Sequence, residues 1–257
     1  LSAYKVIRIL IELCLKSNQV IVVGIAPYDF RLLCIALLLK KNRLFLHTSW
    51  PEYGKFSKVP KSKLFGVSYI IWENIISTYF EAILCVSYKT KQSIERQHPN
   101  WPKAHVVNHS IEDVWFRPKI TTCTADTELN VLYIGRLVPE KGIDKIIEVA
   151  RTLPNYTFHF AGSGPLSAHL NSVGLENVIN HGYIEQTNAL IELVDKCQFI
   201  LQPSLTRHDW KEAFGIGLLQ GMARGLIPFT TNNPGSLVVL GEDLSFLTTL
   251  PKNFCND

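Results

Sequence analysis

A chain of 257 residues with 47% hydrophobic and 19% charged residues is too apolar for a disordered or collagen-like protein, and it is long enough for one large domain or two small ones. Its net charge of +4 hides a division: residues 1–120 hold 17 Lys and Arg against 8 Asp and Glu, net +9, whereas residues 121–257 hold 9 against 14, net −5. A basic half beside an acidic one suggests two units with different partners, the basic one facing an anion such as a lipid headgroup, a phosphate or a nucleic acid.

In chain order, short β-branched runs alternate with helical stretches, the pattern of parallel strands joined by crossover helices. Residues 1–19 hold at most one helix. Strands are predicted at Gln19–Gly24, Arg43–His47, Ala82–Ser87 and His105–Asn108, with helices at Phe30–Lys40 and Val67–Tyr79. The segment Ile111–Leu129 loses periodicity around Pro118 and a Thr-rich stretch, so the boundary between two domains is set there, as 1–117 and 118–257. Beyond it, strands at Asn130–Ile134, Tyr156–Ala161, Val178–His181, Phe199–Gln202 and Ile227–Thr230 alternate with helices at Ile143–Thr152, Leu166–Ser172, Thr187–Lys196 and Gly215–Arg224. That is a nearly complete doubly wound sheet.

The six cysteines (Cys14, Cys34, Cys85, Cys123, Cys197 and Cys255) form no CxxC pair and have mostly apolar neighbours, so they read as buried thiols in a reducing compartment. No apolar run reaches the ~18 residues of a membrane span. The chain begins with Leu and shows no signal-peptide pattern, which reads as an internal piece of something longer.

Two segments carry chemistry. In Tyr133-Ile134-Gly135-Arg136-Leu137-Val138-Pro139-Glu140-Lys141-Gly142 a strand ends and a loop presents two cations at the carboxyl edge of a parallel sheet, where open α/β folds bind ligands. A planar guanidinium beside a compact ammonium suits a diphosphate, although two such residues are also ordinary surface charges. In the second segment, Glu212-Ala213-Phe214-Gly215-Ile216-Gly217, glycines open a helix. They leave N–H groups free to approach a phosphate, or else serve only close helix packing. Gln220 follows two turns into that helix.

Together with Ala161-Gly162-Ser163-Gly164-Pro165 and Gly182-Tyr183, these segments resemble, in the same order, the nucleotide-sugar-binding domain of the retaining family 4 glycosyltransferases of GT-B fold. The resemblance spans roughly Val106 to Leu247. It implies an α/β chain of two Rossmann-like domains whose parallel sheets face a cleft, the N-terminal one incomplete and the C-terminal one lacking its last helices. It further implies donor binding by Gly135, Arg136, Lys141, Phe214, Gly215, Ile216 and Gln220, with Glu212 on the donor sugar. Gln220 stands where the family carries a second Glu, keeping a hydrogen-bond acceptor but losing the charge. Leu44-Phe45-Leu46-His47 resembles the strand whose histidine faces the sugar, which makes His47 the second catalytic candidate; a structural histidine at a strand end is the alternative.

The resemblance implies sugar transfer from a nucleoside diphosphate donor to a glycan or lipid-linked acceptor with retention. No cofactor and no obligate metal are expected, since Arg136, Lys141 and the helix dipole would stabilise the leaving diphosphate. The setting it suggests is bacterial surface-polysaccharide synthesis at the cytoplasmic face of the plasma membrane. Lys55, Lys58, Lys61 and Lys63, interleaved with Phe56 and Phe65, would meet an anionic membrane or a lipid-phosphate acceptor, or form a plain solvated loop. Three rival readings stay open: a nucleotide-sugar epimerase, a noncatalytic partner protein, and a nucleic-acid module, the last without a recognition motif and therefore not expected.

Overall fold

The computed structural model describes residues 3–25, 28–29, 31–50, 53, 65–117, 129–205 and 211–241. The chain divides into two compact units, 1–108 and 109–257. The sequence reading set the boundary at 117/118, but Ile111, Val114 and Trp115 pack into the core of the second unit, which groups residues 109–117 with it.

In the first unit, α1 (Ala3–Cys14) precedes a sheet of four parallel strands in sequential order: β1 (Val20–Gly24), β2 (Arg43–Thr48), β3 (Phe80–Cys85) and β4 (Ala104–Val106). The crossovers are α2 (Arg31–Leu38), α3 (Phe65–Tyr79) and α4 (Tyr88–Gln97). Alternation in β2 sends Leu44 and Leu46 into a core with Leu32, Trp72, Ile76 and Ile83, while Arg43 stays outside. Val20 and Val22, on one face of edge strand β1, are 63% and 54% exposed, so no helix among the described residues covers that face. The sequence reading missed α4. Its sequence is mostly polar, with Ile94 its one buried apolar side chain, and its start depends on Ser87, whose Oγ accepts from Thr90 N at 3.1 Å.

The second unit contains β5 (Leu129–Ile134), α5 (Ile143–Thr152), β6 (Tyr156–Ala161), α6 (Ser167–Asn171), β7 (Val178–Gly182), α7 (Thr187–Asp195), β8 (Phe199–Gln202), α8 (Ile216–Ala223), β9 (Ile227–Thr230) and α9 (Pro234–Leu240). Its parallel strands run in the order β7-β6-β5-β8-β9. Alternation along β5 divides the core: Val131 and Tyr133 pack with Ile143, Ile147, Phe158 and Phe160 on one face, and Leu132 packs with Val194, Ile200 and Leu218 on the other. A buried fork closes the unit. Arg224 donates to Asp195 Oδ1 at 2.8 Å and Oδ2 at 2.6 Å, and also to the carbonyl of Arg117. α9 lies beyond the last element predicted; Asn233 caps it by accepting from Ser236 N at 3.0 Å, and Pro234 opens it.

Candidate functional site

The strand order of the second unit reverses between β5 and β8, and an open α/β sheet leaves a crevice at the carboxyl ends of such a pair. Both motif segments arrive there. From β5 the chain passes through Gly135 and Arg136 into a 3-10 turn at Pro139–Lys141. Tyr133 Oη donates to the Arg136 carbonyl at 2.7 Å, and Leu137 N donates to the Ser163 carbonyl at 2.9 Å, so this loop is fixed from below and from the side. Burial holds the Tyr133 phenol well above its ordinary pKa, which keeps it a neutral donor.

From β8 the chain runs through Pro203 and Ser204, and Leu205 N donates to the Glu140 carbonyl at 2.9 Å, tying the two loops together. Glycines allow this approach. Gly142 takes φ +71°, and a Cβ there would run into the Pro203 carbonyl; a Cβ on Gly217 would run into the Ile134 carbonyl.

The loops bring together residues 71 apart in sequence: Lys141 Nζ donates to Glu212 Oε2, and both side chains are 10% exposed. Ser204 Oγ donates to the same oxygen at 3.1 Å. Thr231 Oγ1 donates to the Ser204 carbonyl at 2.5 Å, and Gly235 packs so closely on Glu212 that a Cβ would meet its Cγ. The carboxylate is therefore held by one cation, one hydroxyl and a backbone wall. α8 begins beside it with Gly215 as N-cap, which offers no side chain to the first-turn N–H groups.

Each remaining predicted residue has its place. Arg136 is exposed and lines a cavity of about 280 Å³ with Gly135, Gly162, Ser163, Tyr183 and Ile184. Phe214 is buried, its ring edge-on to His109 at 5.2 Å, and Ile216 is 42% exposed. Gln220 is half-buried in the second turn of α8, whereas Glu212 precedes the helix, so the two are not neighbours on one helical face. His47 lies half-buried near the end of β2 in the first unit. Lys55, Lys58, Lys61 and Lys63 lie outside the described residues. Sequence reasoning missed Ser204, Gly235 and the amide of Gln202. Only Asn233-Pro234 gave a signal, as a helix start that would have brought Gly235 to the site.

The fold is the two-unit α/β architecture of the GT-B glycosyltransferases. Anabaena Alr3699/HepE, solved with UDP and glucose, superposes with a TM-score of 0.66 at 14% identity, over 95% of this chain and 67% of that one. The family model for glycosyl transferases group 1 matches residues 122–249, which contain both motif loops. The uncharacterized glycosyltransferase MJ1178 of Methanocaldococcus jannaschii is 24% identical over 246 residues, covering 94% of this chain. A component of the phosphatidylinositol N-acetylglucosaminyltransferase of Arabidopsis thaliana is 27% identical over 174 residues, covering 64%. The chain spans 64% and 37% of the lengths of these two relatives. Among the described residues no helix is long and apolar enough to cross a membrane.

Proposed function

We propose that this chain carries the donor site of a retaining glycosyltransferase of family 4 type, which moves a sugar from a nucleoside diphosphate to a glycan or lipid-linked acceptor in surface-polysaccharide synthesis. The observation that carries the reading is the buried Lys141–Glu212–Ser204 cluster beside the uncapped N-terminus of α8, at the switch point of the sheet. A diphosphate resting on α8 meets the positive end of its dipole, with Arg136 free to fold over the exposed side. Lys141 is shared between Glu212 and the diphosphate, so its charge links the sugar-binding carboxylate to the leaving group. When the bond from the anomeric carbon to the diphosphate oxygen breaks, the electron pair stays on the diphosphate. Those same donors then meet more charge than in the bound donor, and this difference lowers the barrier.

Glu212, fixed on one oxygen by Lys141 and Ser204, keeps the other for sugar hydroxyls. His47, near the end of β2, is the second catalytic residue of this reading. Side chains and the helix dipole take the place of a cation, so turnover persists in a chelator. The Lys55–Lys63 segment holds the protein to anionic lipid. A panel of nucleoside diphosphate sugars, with released diphosphate as readout, tests the reading. Glu212→Gln is expected to abolish turnover while preserving UDP binding; full activity in that variant, or no nucleotide binding by the parent chain, defeats it.

A further inference from the structure

Gln202 ends β8 at the switch point and is the one polar residue of that strand, 4% exposed. Its main-chain carbonyl accepts from Thr230 Oγ1 at 2.9 Å, but its side-chain Oε1 has no hydrogen-bond partner among the described residues. A buried amide oxygen left in that condition has lost its hydration without recompense. What adjoins it is the start of α8: a Cβ built on Gly215 would lie 3.1 Å from Oε1. Gly215 is the N-cap and gives no side-chain cap, so among the described residues the first-turn N–H groups are orphan donors. An orphan acceptor and a set of orphan donors thus sit side by side at the point where the proposed donor diphosphate would rest.

We infer that Gln202 is a positioning residue for diphosphate capture. When the turn at Phe214–Gly217 closes on an anion, one main-chain N–H of the turn is directed to Oε1 and the others point at the anion. The amide oxygen is then satisfied in the bound form alone, so the hydrogen bond counts toward binding and not toward folding. A nonpolar residue in this strand would give a more stable protein and a weaker site, the trade expected where function sets the residue. The inference rests on the donor-site reading above and adds to it the residue that shapes the α8 turn.

The test uses the whole chain and two variants, Gln202→Met and Gln202→Glu, titrated with UDP, inorganic pyrophosphate and uridine, alongside thermal unfolding without ligand. Gln202→Met keeps the volume and is expected to unfold at the parent temperature or higher. It should bind UDP and pyrophosphate about tenfold more weakly, the factor of one hydrogen bond, and bind uridine as the parent does. Gln202→Glu should bind poorly at about pH 7.5 and recover relative to the parent toward about pH 5, because its protonated carboxyl restores a neutral acceptor. A lower unfolding temperature for Gln202→Met overturns the inference, since the amide would then be serving the fold. Unchanged UDP affinity, or equal weakening of uridine, overturns it as well while leaving the donor reading intact. Failure of the parent chain to bind UDP or pyrophosphate overturns both.

Discussion

Lys141 and Glu212 form a buried ion pair that joins the loop after β5 to the segment before α8. At 10% side-chain exposure each, the two charges have given up most of their hydration, so removing one leaves the other without its opposite charge in a poorly hydrated site. Lys141→Met is therefore expected to destabilise the chain by about 3 kcal/mol, and Lys141→Met with Glu212→Gln by clearly less. Urea unfolding of the single and double variants measures the coupling. Additive losses would show that the pair contributes nothing beyond its separate members.

At Gly142 the loop after β5 passes close against the Pro203 carbonyl at the end of β8. Alanine there takes on both the positive φ and a collision with the Pro203 carbonyl, so Gly142→Ala should cost at least about 1 kcal/mol and move Lys141 away from Glu212. Gly174 also has a positive φ, yet a Cβ there would have nothing within 4 Å. Gly174→Ala thus isolates the backbone penalty. Comparing UDP binding in the two variants separates strain from collision: binding should fall in Gly142→Ala alone.

Acid should weaken the fold through three histidines held below their ordinary pKa: His98, which is buried, His159, which is half-buried, and His181, which is exposed. On the sheet of the second unit Asn130 Nδ2 donates to the Lys196 carbonyl at 3.3 Å, which leaves Asn130 Oδ1 to accept from His159 Nε2 at 2.8 Å. His159 Nδ1 then accepts from His181 Nε2 at 3.0 Å, and a second proton on His159 would oppose that donor. Burial, then the neighbouring His181 and Lys196, push the His159 imidazole down to about 4. Burial and Lys196 lower His181, and burial lowers His98 against the opposing pull of Glu73.

A group whose folded pKa is depressed leaves the unfolded chain to bind protons first as pH falls. The stability tied to these histidines is therefore complete above about pH 6.5 and is lost progressively toward about pH 4. Denaturant midpoints across that range should fall with pH, and His159→Gln should flatten the slope. An unchanged slope would remove His159 as a cause.

Arg224, 4% exposed, should be among the least replaceable residues outside the site, because its fork serves Asp195 and the Arg117 carbonyl at once. Arg224→Met is expected to cost about 3 kcal/mol, and Arg224→Lys to recover only part of it, since an ammonium cannot match both carboxylate oxygens in one plane. Thermal unfolding of the pair of variants decides. Equal stability of Lys and Arg would mean that charge alone matters there.

The sequence determined the local elements of the second unit almost to the residue. β6, β8, β9 and α5 begin and end where apolar periodicity starts and stops, because burial of one face or stripe is written in consecutive residues. The same logic placed Arg136, Lys141 and Glu212 in loops at strand or helix ends. Polar α4 and capped α9 escaped it: the first depends on the Ser87 side chain, and the second on a cap-and-proline start that brings Gly235 against Glu212.

What only the tertiary structure decided is which loops meet. The order β7-β6-β5-β8-β9 puts the ends of β5 and β8 side by side, and that adjacency turns a predicted diphosphate lysine and a predicted sugar carboxylate into one buried pair. It also sets Gln202 against the start of α8 and gathers residues 109–117 into the second unit through Trp115. Periodicity is a property of neighbours in the chain, whereas a buried charge or an orphan amide is defined by what surrounds it in space.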